Sequence, residues 1–141
     1  KDLEKKIIRQ LTNAGVNTLY LFGSRAKGVN HPSSDFDFGV LLTDPSIVLE
    51  TSIQLYDRLY SILATSIAPE TQAADVIDII FLDSPHVSLE IKSHIVREGQ
   101  ILMDINPSYR AYVEEKILLE SADFAPLRKE MSHALLTRAS V

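Results

Sequence analysis

Two aspartates, Asp35 and Asp37, stand at i and i+2 at the mouth of an apolar run, Phe38 to Leu42. Side chains on an extended chain alternate between faces, so these two carboxylates point the same way. Carboxylates that close repel each other and push a pKa up unless a cation lies between them. A divalent metal is the usual answer, and Mg²⁺ with phosphate oxygens suits such hard ligands. Ten residues separate Asp35 from Gly23-Ser24, which is reached directly from a second apolar run, Leu19-Tyr20-Leu21-Phe22. Gly23 lets backbone approach a phosphate with no side chain in the way. Ser24 offers a hydroxyl and a backbone N–H where a helical turn would begin, a natural anion site. A hairpin with two solvated aspartates is the bland alternative. The glycine-serine turn and the carboxylate pair occurring together argue against it.

Metal-assisted phosphate chemistry asks for a third carboxylate on a neighbouring strand, to complete a second metal site or to act as general base. Asp75 and Asp78 compete for that place. They are three apart, so on a regular strand they face opposite ways and only one can meet Asp35 and Asp37. Asp78 is preferred. It lies between Ile77 and Ile79, where a carboxylate is hard to bury without a metal or a hydrogen-bond partner. Asp75 follows Ala73-Ala74 near the strand entrance and could simply be solvated. Arg25 and Lys27 lie in the same loop as Ser24, as phosphate contacts or as solvated charges.

The elements that must position these groups follow from periodicity. Leu3, Ile7, Ile8, Leu11 and Ala14 predict a helix over 2–14, stopped by Gly15. Thr18 to Phe22 reads as a buried strand, Gly23 to Ser34 as a loop with one helical turn at Ser24 to Lys27, and Asp35 to Leu42 as the second strand. Asp44-Pro45-Ser46 breaks that strand. Ile47 to Ile67 predicts a long helix, with Leu55, Leu59, Ile62 and Leu63 on its stripe. Asp75 to Leu82 is near-continuous in Val and Ile, as in a strand covered on both faces. Ser84-Pro85 predicts the opening of another helix, ending at Gly99, and Ile101 to Met103 a short edge strand. Asn106-Pro107-Ser108 starts a last helical region, which Pro126 is expected to kink or split. The pattern is a small α/β (α+β) fold. Its mixed sheet has three or four strands, with helices packed mainly on one face and a C-terminal helical extension over about 107–141.

The chain has 141 residues and 45% hydrophobic content, enough for one packed domain over 1–141. No apolar run approaches the roughly 20 residues of a membrane span. No secretory pattern opens the chain, though without an initiator Met an upstream leader stays open. There are no cysteines, which excludes disulfides and thiolate metal sites and fits a cytoplasmic protein. Net charge is −5. Proteins that grip long nucleic acid present a basic surface to its phosphates, so direct nucleic-acid binding is disfavoured. His31, His86 and His94 are isolated, and none has zinc-ligand spacing.

Gly23-Ser24, ten residues, then Asp35-Phe36-Asp37 resembles the signature of the DNA polymerase β-like nucleotidyltransferase superfamily. The short length resembles its minimal nucleotidyltransferase (MNT) branch. Ile77-Asp78-Ile79-Ile80 and the helix closing in Arg97-Glu98-Gly99 are similar to the same branch. So is the tail Asp123-Phe124-Ala125-Pro126-Leu127-Arg128. The resemblance covers most of residues 18 to 128. It implies that Gly23 and Ser24, with Arg25 and Lys27 beside them, bind the triphosphate of ATP. It implies Asp35 and Asp37 as ligands of one or two Mg²⁺ ions, and Asp78 as the third catalytic and metal-binding acid.

MNT proteins resemble one half of bacterial toxin–antitoxin pairs whose other half is a helical HEPN-type RNase toxin. The resemblance implies an antitoxin that transfers AMP from ATP to a tyrosine of that toxin. An acidic chain suits a basic RNase partner better than an RNA substrate. Two alternatives stay open. The acceptor could be an aminoglycoside or an RNA end, or the protein could silence its partner by occlusion alone. The C-terminal region, with Tyr109, Tyr112, Phe124 and Leu127, is a candidate contact surface, although core packing is the expectation for most of these side chains. Met131 to Val141 is the stretch free enough to dock. Arg128 and His133 match the Arg-x4–6-His pattern of HEPN RNases, a chance match in an α/β chain.

Overall fold

The first helix, α1 (Lys5–Asn13), turns Ile7 and Leu11 into the core, one helical turn apart on a single stripe. The chain then enters β1 (Val16–Phe22), which begins two residues before the expected start at Thr18. Val16 to Tyr20 are all buried, because β1 is an inner strand with covered faces. β2 (Phe36–Leu42), α2 (Ser46–Ile67), β3 (Ile77–Phe81), α3 (Leu89–Glu98), β4 (Gln100–Asp104) and α4 (Pro107–Arg128) follow. This computed structural model describes residues 3–23, 36–67 and 77–128, with backbone alone at 47–52, 67 and 123–128. No helix among the described residues is long and apolar enough to cross a membrane.

The sheet order is β3-β2-β1-β4. β1 runs antiparallel to β2 and to β4, and β2 runs parallel to β3. The sheet is therefore mixed, and β4 is the edge strand expected around Ile101 to Met103. The larger core lies on one face. There Leu19, Phe36, Phe38, Val40, Leu42, Ile77, Ile79 and Phe81 meet Ile7 and Leu11 of α1 and Leu55, Leu59 and Leu63 of α2. A smaller core lies on the other face, where Tyr20, Leu41, Leu82 and Ile95 pack together with Tyr109 and Val113 of α4. Each face thus carries two helices, with the larger core under α1 and α2. Gly39 marks a close approach on the side of the smaller core. A Cβ there would stand 2.8 Å from Ile95 Cγ2, so α3 can sit down on β2 only over a glycine.

A polar chain fastens α4 to the sheet. The buried Tyr20 hydroxyl donates to Glu114 at 2.7 Å. Arg110 donates from Nη1 to Glu114 at 2.8 Å and from Nε to Asp104 at 2.7 Å. Thr18 Oγ1 donates to the other Asp104 oxygen at 3.2 Å. Each carboxylate thereby has partners from two elements, which a half-buried charge requires.

Three expectations are corrected. The helix after β3 starts at Leu89, not at Ser84-Pro85. Ser84 and Pro85 form a turn closed by Val87 N–H on Ser84 O at 3.3 Å, and Ser88 caps the helix by accepting from Ile91 N–H at 3.2 Å. Pro126 does not split α4, which runs on to Arg128. Tyr112 is not core but 62% exposed, with Leu119 at 60%, so α4 keeps an apolar face outward. Tyr109 packs on the smaller core as expected. The predicted loop over Ser24 to Ser34 and the stretch Met131 to Val141 lie outside the described residues.

Candidate active site

Gly23 ends β1 with φ +80°, in the left-handed region that glycine adopts without cost. A Cβ built there would collide with the Asp37 carboxylate, at Oδ2. The glycine is therefore needed twice. It adopts the positive φ that follows β1, and it leaves the room that the carboxylate occupies. This explains physically why a glycine follows β1 where an aspartate stands near the start of β2.

Register completes the constellation. Phe22 is the ladder partner of Asp37 between β1 and β2, and Asp37 is the ladder partner of Asp78 between β2 and β3. Ladder partners point to the same side of a sheet, and neighbouring strands lie ~4.8 Å apart. Phe22, Asp37 and Asp78 thus form a row across three strands, on the face that carries Tyr20, Gly39 and Ile80. The two carboxylates sit one pleat beyond the part of that face that α3 covers through Ile95. Asp78 is exposed. This overturns the burial argument for choosing it, since no desolvation needs to be relieved there. What favours Asp78 is register instead, because it shares a face with Asp37.

Beside the row stands an aromatic contact that the sequence did not reveal. The His94 ring of α3 meets Phe22 edge-on, with ring centroids 6.3 Å apart and planes at 80°. Both side chains are half-buried. His94 is therefore no isolated surface histidine. The parity of Phe22 with Asp37 across a hairpin is the signal that would have drawn attention to it.

Of the predicted site residues, Gly23, Asp37 and Asp78 are brought together. Ser24, Arg25, Lys27 and Asp35 lie outside the described residues, as does the competing Asp75. Among the described residues no cluster of three His, Asp or Glu side chains could hold a metal. The donor chemistry still fits a hard divalent cation. Asp37 and Asp78 supply carboxylate oxygens from neighbouring strands on one face, and like charges so placed favour a cation between them.

A half-buried acid, Asp83, serves a different end of the sheet. Asp83 Oδ2 accepts from Leu42 N–H at 2.9 Å, at the far end of β2 from Asp37. Burial pushes its carboxyl up, while the Leu42 hydrogen bond and Lys92 pull it down. Tyr20 is pushed well above the usual phenol range, first by burial and then by its bond to Glu114, so it stays a neutral donor.

The fold has counterparts among known proteins. The family model described as polymerase beta, nucleotidyltransferase, matches residues 5–108. No curated protein matches the chain. Among solved structures, a toxin–antitoxin complex with AMP-PNP contains a chain 22% identical, with TM-score 0.67, over 93% of this chain and 96% of that one. The toxin–antitoxin pair MntA-HepT matches at 20% identity and TM-score 0.61, over 93% and 94%. A complex of a tri-AMPylated Shewanella oneidensis HEPN toxin with its MNT antitoxin matches at 21% identity and TM-score 0.57, over 93% of each chain. Likeness at such identities establishes a shared fold. The family match spans most of the chain, from α1 to the start of α4 and across both described carboxylates. This chain belongs to the polymerase β nucleotidyltransferase family.

Proposed function

We propose that this protein is an antitoxin that transfers AMP from ATP to a hydroxyl, a tyrosine's, on a HEPN-type RNase toxin, and so neutralises it. The observation that carries the reading is the in-register pair Asp37 and Asp78 beside Gly23. The structural relatives add support, since one was solved with AMP-PNP and another with a tri-AMPylated toxin. A net charge of −5 complements a basic, RNA-cleaving partner. The reading sets the reaction in the cytoplasm, in keeping with a chain free of cysteine.

Gly23 and Ser24 cradle the triphosphate, with Arg25 and Lys27 on its outer oxygens. Asp35, Asp37 and Asp78 would hold one or two Mg²⁺ ions, which supply charge neutralisation on the phosphates and ease loss of the acceptor's proton. Asp78, open to solvent on β3, is the carboxylate an incoming hydroxyl can reach, and it accepts that proton. The acceptor oxygen forms a bond to the α-phosphorus, the bond from that phosphorus to the bridging oxygen breaks, and pyrophosphate leaves through the Gly23-Ser24 turn. Holding the two reactants in line supplies much of the rate.

The test is ATP labelled on the α-phosphate, incubated with the protein and a co-expressed HEPN toxin. Label and one or more AMP mass increments on the toxin are expected. Persistent modification by an Asp35→Asn, Asp37→Asn double variant would overturn the mechanism. A double variant that leaves the toxin unmodified yet still protects cells would point to occlusion. Label on an aminoglycoside or an RNA end, and none on the toxin, would change the acceptor and keep the chemistry.

A further inference from the structure

Phe22 and His94 form a half-covered aromatic wall along one side of the carboxylate row. Phe22 is one strand spacing, ~4.8 Å, from Asp37 and two from Asp78. His94 reaches it from α3, the helix that closes over this face through Ile95 and Gly39. The buried centre of the smaller core is Tyr20, Leu41, Leu82 and Ile95, and Phe22 packs against it half-buried. His94 meets Phe22 on the side of the sheet where Asp37 stands. Core packing by itself calls for no imidazole there.

The two ends of the row differ. The Asp78 end is exposed and lies on β3, the edge strand opposite β4 among the described residues. A hydroxyl carried by a folded protein needs that open approach. At the Phe22 end α3 brings the His94 ring against Phe22, which suits a small flat group. A nucleotide whose phosphates lie at Gly23 and Asp37 carries such a group one ribose away. Aromatic side chains hold bases through their π-faces whatever the base's hydrogen-bonding edge, and an edge-on pair leaves ring surface to offer.

We infer that Phe22 and His94 form the subsite for the nucleobase of the donor nucleotide, with the protein acceptor entering from the Asp78 side. This rests on the nucleotidyltransferase reading and adds the orientation of the donor to it. His94 is here a binding residue for the base and has no part in the bond-making step.

The experiment is calorimetric titration of the intact protein, with Mg²⁺, against AMP-PNP and against inorganic tripolyphosphate. His94→Ala is expected to weaken AMP-PNP about tenfold, as loss of a stacking partner does, while tripolyphosphate binding stays unchanged. His94→Phe, which keeps a ring, is expected to restore most of the AMP-PNP affinity, and Phe22→Tyr to retain it. These conservative variants also keep the test open if His94→Ala fails to fold. Equal loss of both ligands in His94→Ala, or loss of neither, overturns the inference. So does unchanged AMP-PNP affinity with a raised KM for the protein acceptor, which would give the wall to the acceptor. A wild-type protein that binds neither ligand overturns the nucleotidyltransferase reading itself. One that binds both, with His94→Ala indifferent, overturns the base subsite alone.

Discussion

The Asp37 carboxylate occupies the space that a side chain on Gly23 would fill. Gly23 and the acid are therefore a single steric unit, and no side chain fits at Gly23 while the carboxylate keeps its place. Gly23→Ala faces two penalties. A φ of +80° costs an L-residue about 1–2 kcal/mol, and the added methyl must push the carboxylate away. Loss of AMP-PNP binding is expected together with a lowered melting temperature. Retained nucleotide affinity in a folded Gly23→Ala protein would show that Asp37 does not need its present position.

Asp78 separates stability from activity. Its side chain is exposed, and its ladder partner is another carboxylate. Asp78→Asn removes a like-charge contact and leaves nothing buried without a partner, so thermal unfolding is expected to stay unchanged or rise slightly. Transfer to the acceptor is expected to fall by about 10²–10⁴-fold, the range for loss of a proton acceptor. A folded Asp78→Asn protein with full activity would return the role to Asp75.

What the sequence makes legible here rests on spacing. Gly23 and Asp37 stand at the near ends of two apolar runs, and those runs read as the strands β1 and β2. What spacing cannot encode is register between strands far apart in sequence. Asp37 and Asp78 are brought level by the β2–β3 ladder, and no local pattern specifies that. Exposure of Asp78 escapes a local reading for a related reason. Its neighbours Ile77 and Ile79 face the larger core, while Asp78 itself faces the end of the sheet that α3 does not reach. The start of α3 is ambiguous because Ser84-Pro85 and Ser88 are both good openers, and only hydrogen bonding tells a turn from a cap. Tyr112 and Leu119 show that a helix can hold large apolar residues outside the stripe it buries.

Gly39 sets the height of α3 above the sheet. Gly39→Ala places a methyl 2.8 Å from Ile95 Cγ2, an overpacking expected to cost about 1–3 kcal/mol. Ile95→Val removes the distal methyl of that side chain and frees it to shift, so the double variant is expected to lose less than the sum of the two singles. Additive losses in denaturant titrations would mean that the methyl is accommodated elsewhere. Because His94 precedes Ile95 on α3, weakened AMP-PNP binding is also expected in Gly39→Ala.

The polar chain under α4 is expected to behave as a unit. Tyr20→Phe removes one bond to Glu114, which keeps Arg110, and is expected to cost about 1 kcal/mol. Arg110→Met strips partners from both Asp104 and Glu114 and is expected to cost about 1–3 kcal/mol. The double variant then tests coupling, since Glu114 loses both donors only there. A coupling energy near zero would mean that solvent already satisfies Glu114.

Asp83 predicts a pH dependence. Its carboxyl titrates above 3.8 in the folded protein, chiefly through burial, while the Leu42 N–H and Lys92 oppose that rise. A group whose folded pKa is raised binds its proton more tightly in the folded state. Its favourable contribution is thus full below 3.8 and is lost as pH rises through the raised value. Asp83→Asn keeps an oxygen to accept from Leu42 N–H and removes the buried charge. The melting temperature of Asp83→Asn relative to the wild type is therefore expected to climb as pH is raised from below 3.8 towards neutrality, then level off. A relative stability that falls over the same range would show that the Leu42 hydrogen bond and Lys92 outweigh burial, and that Asp83 is held as a favourable anion.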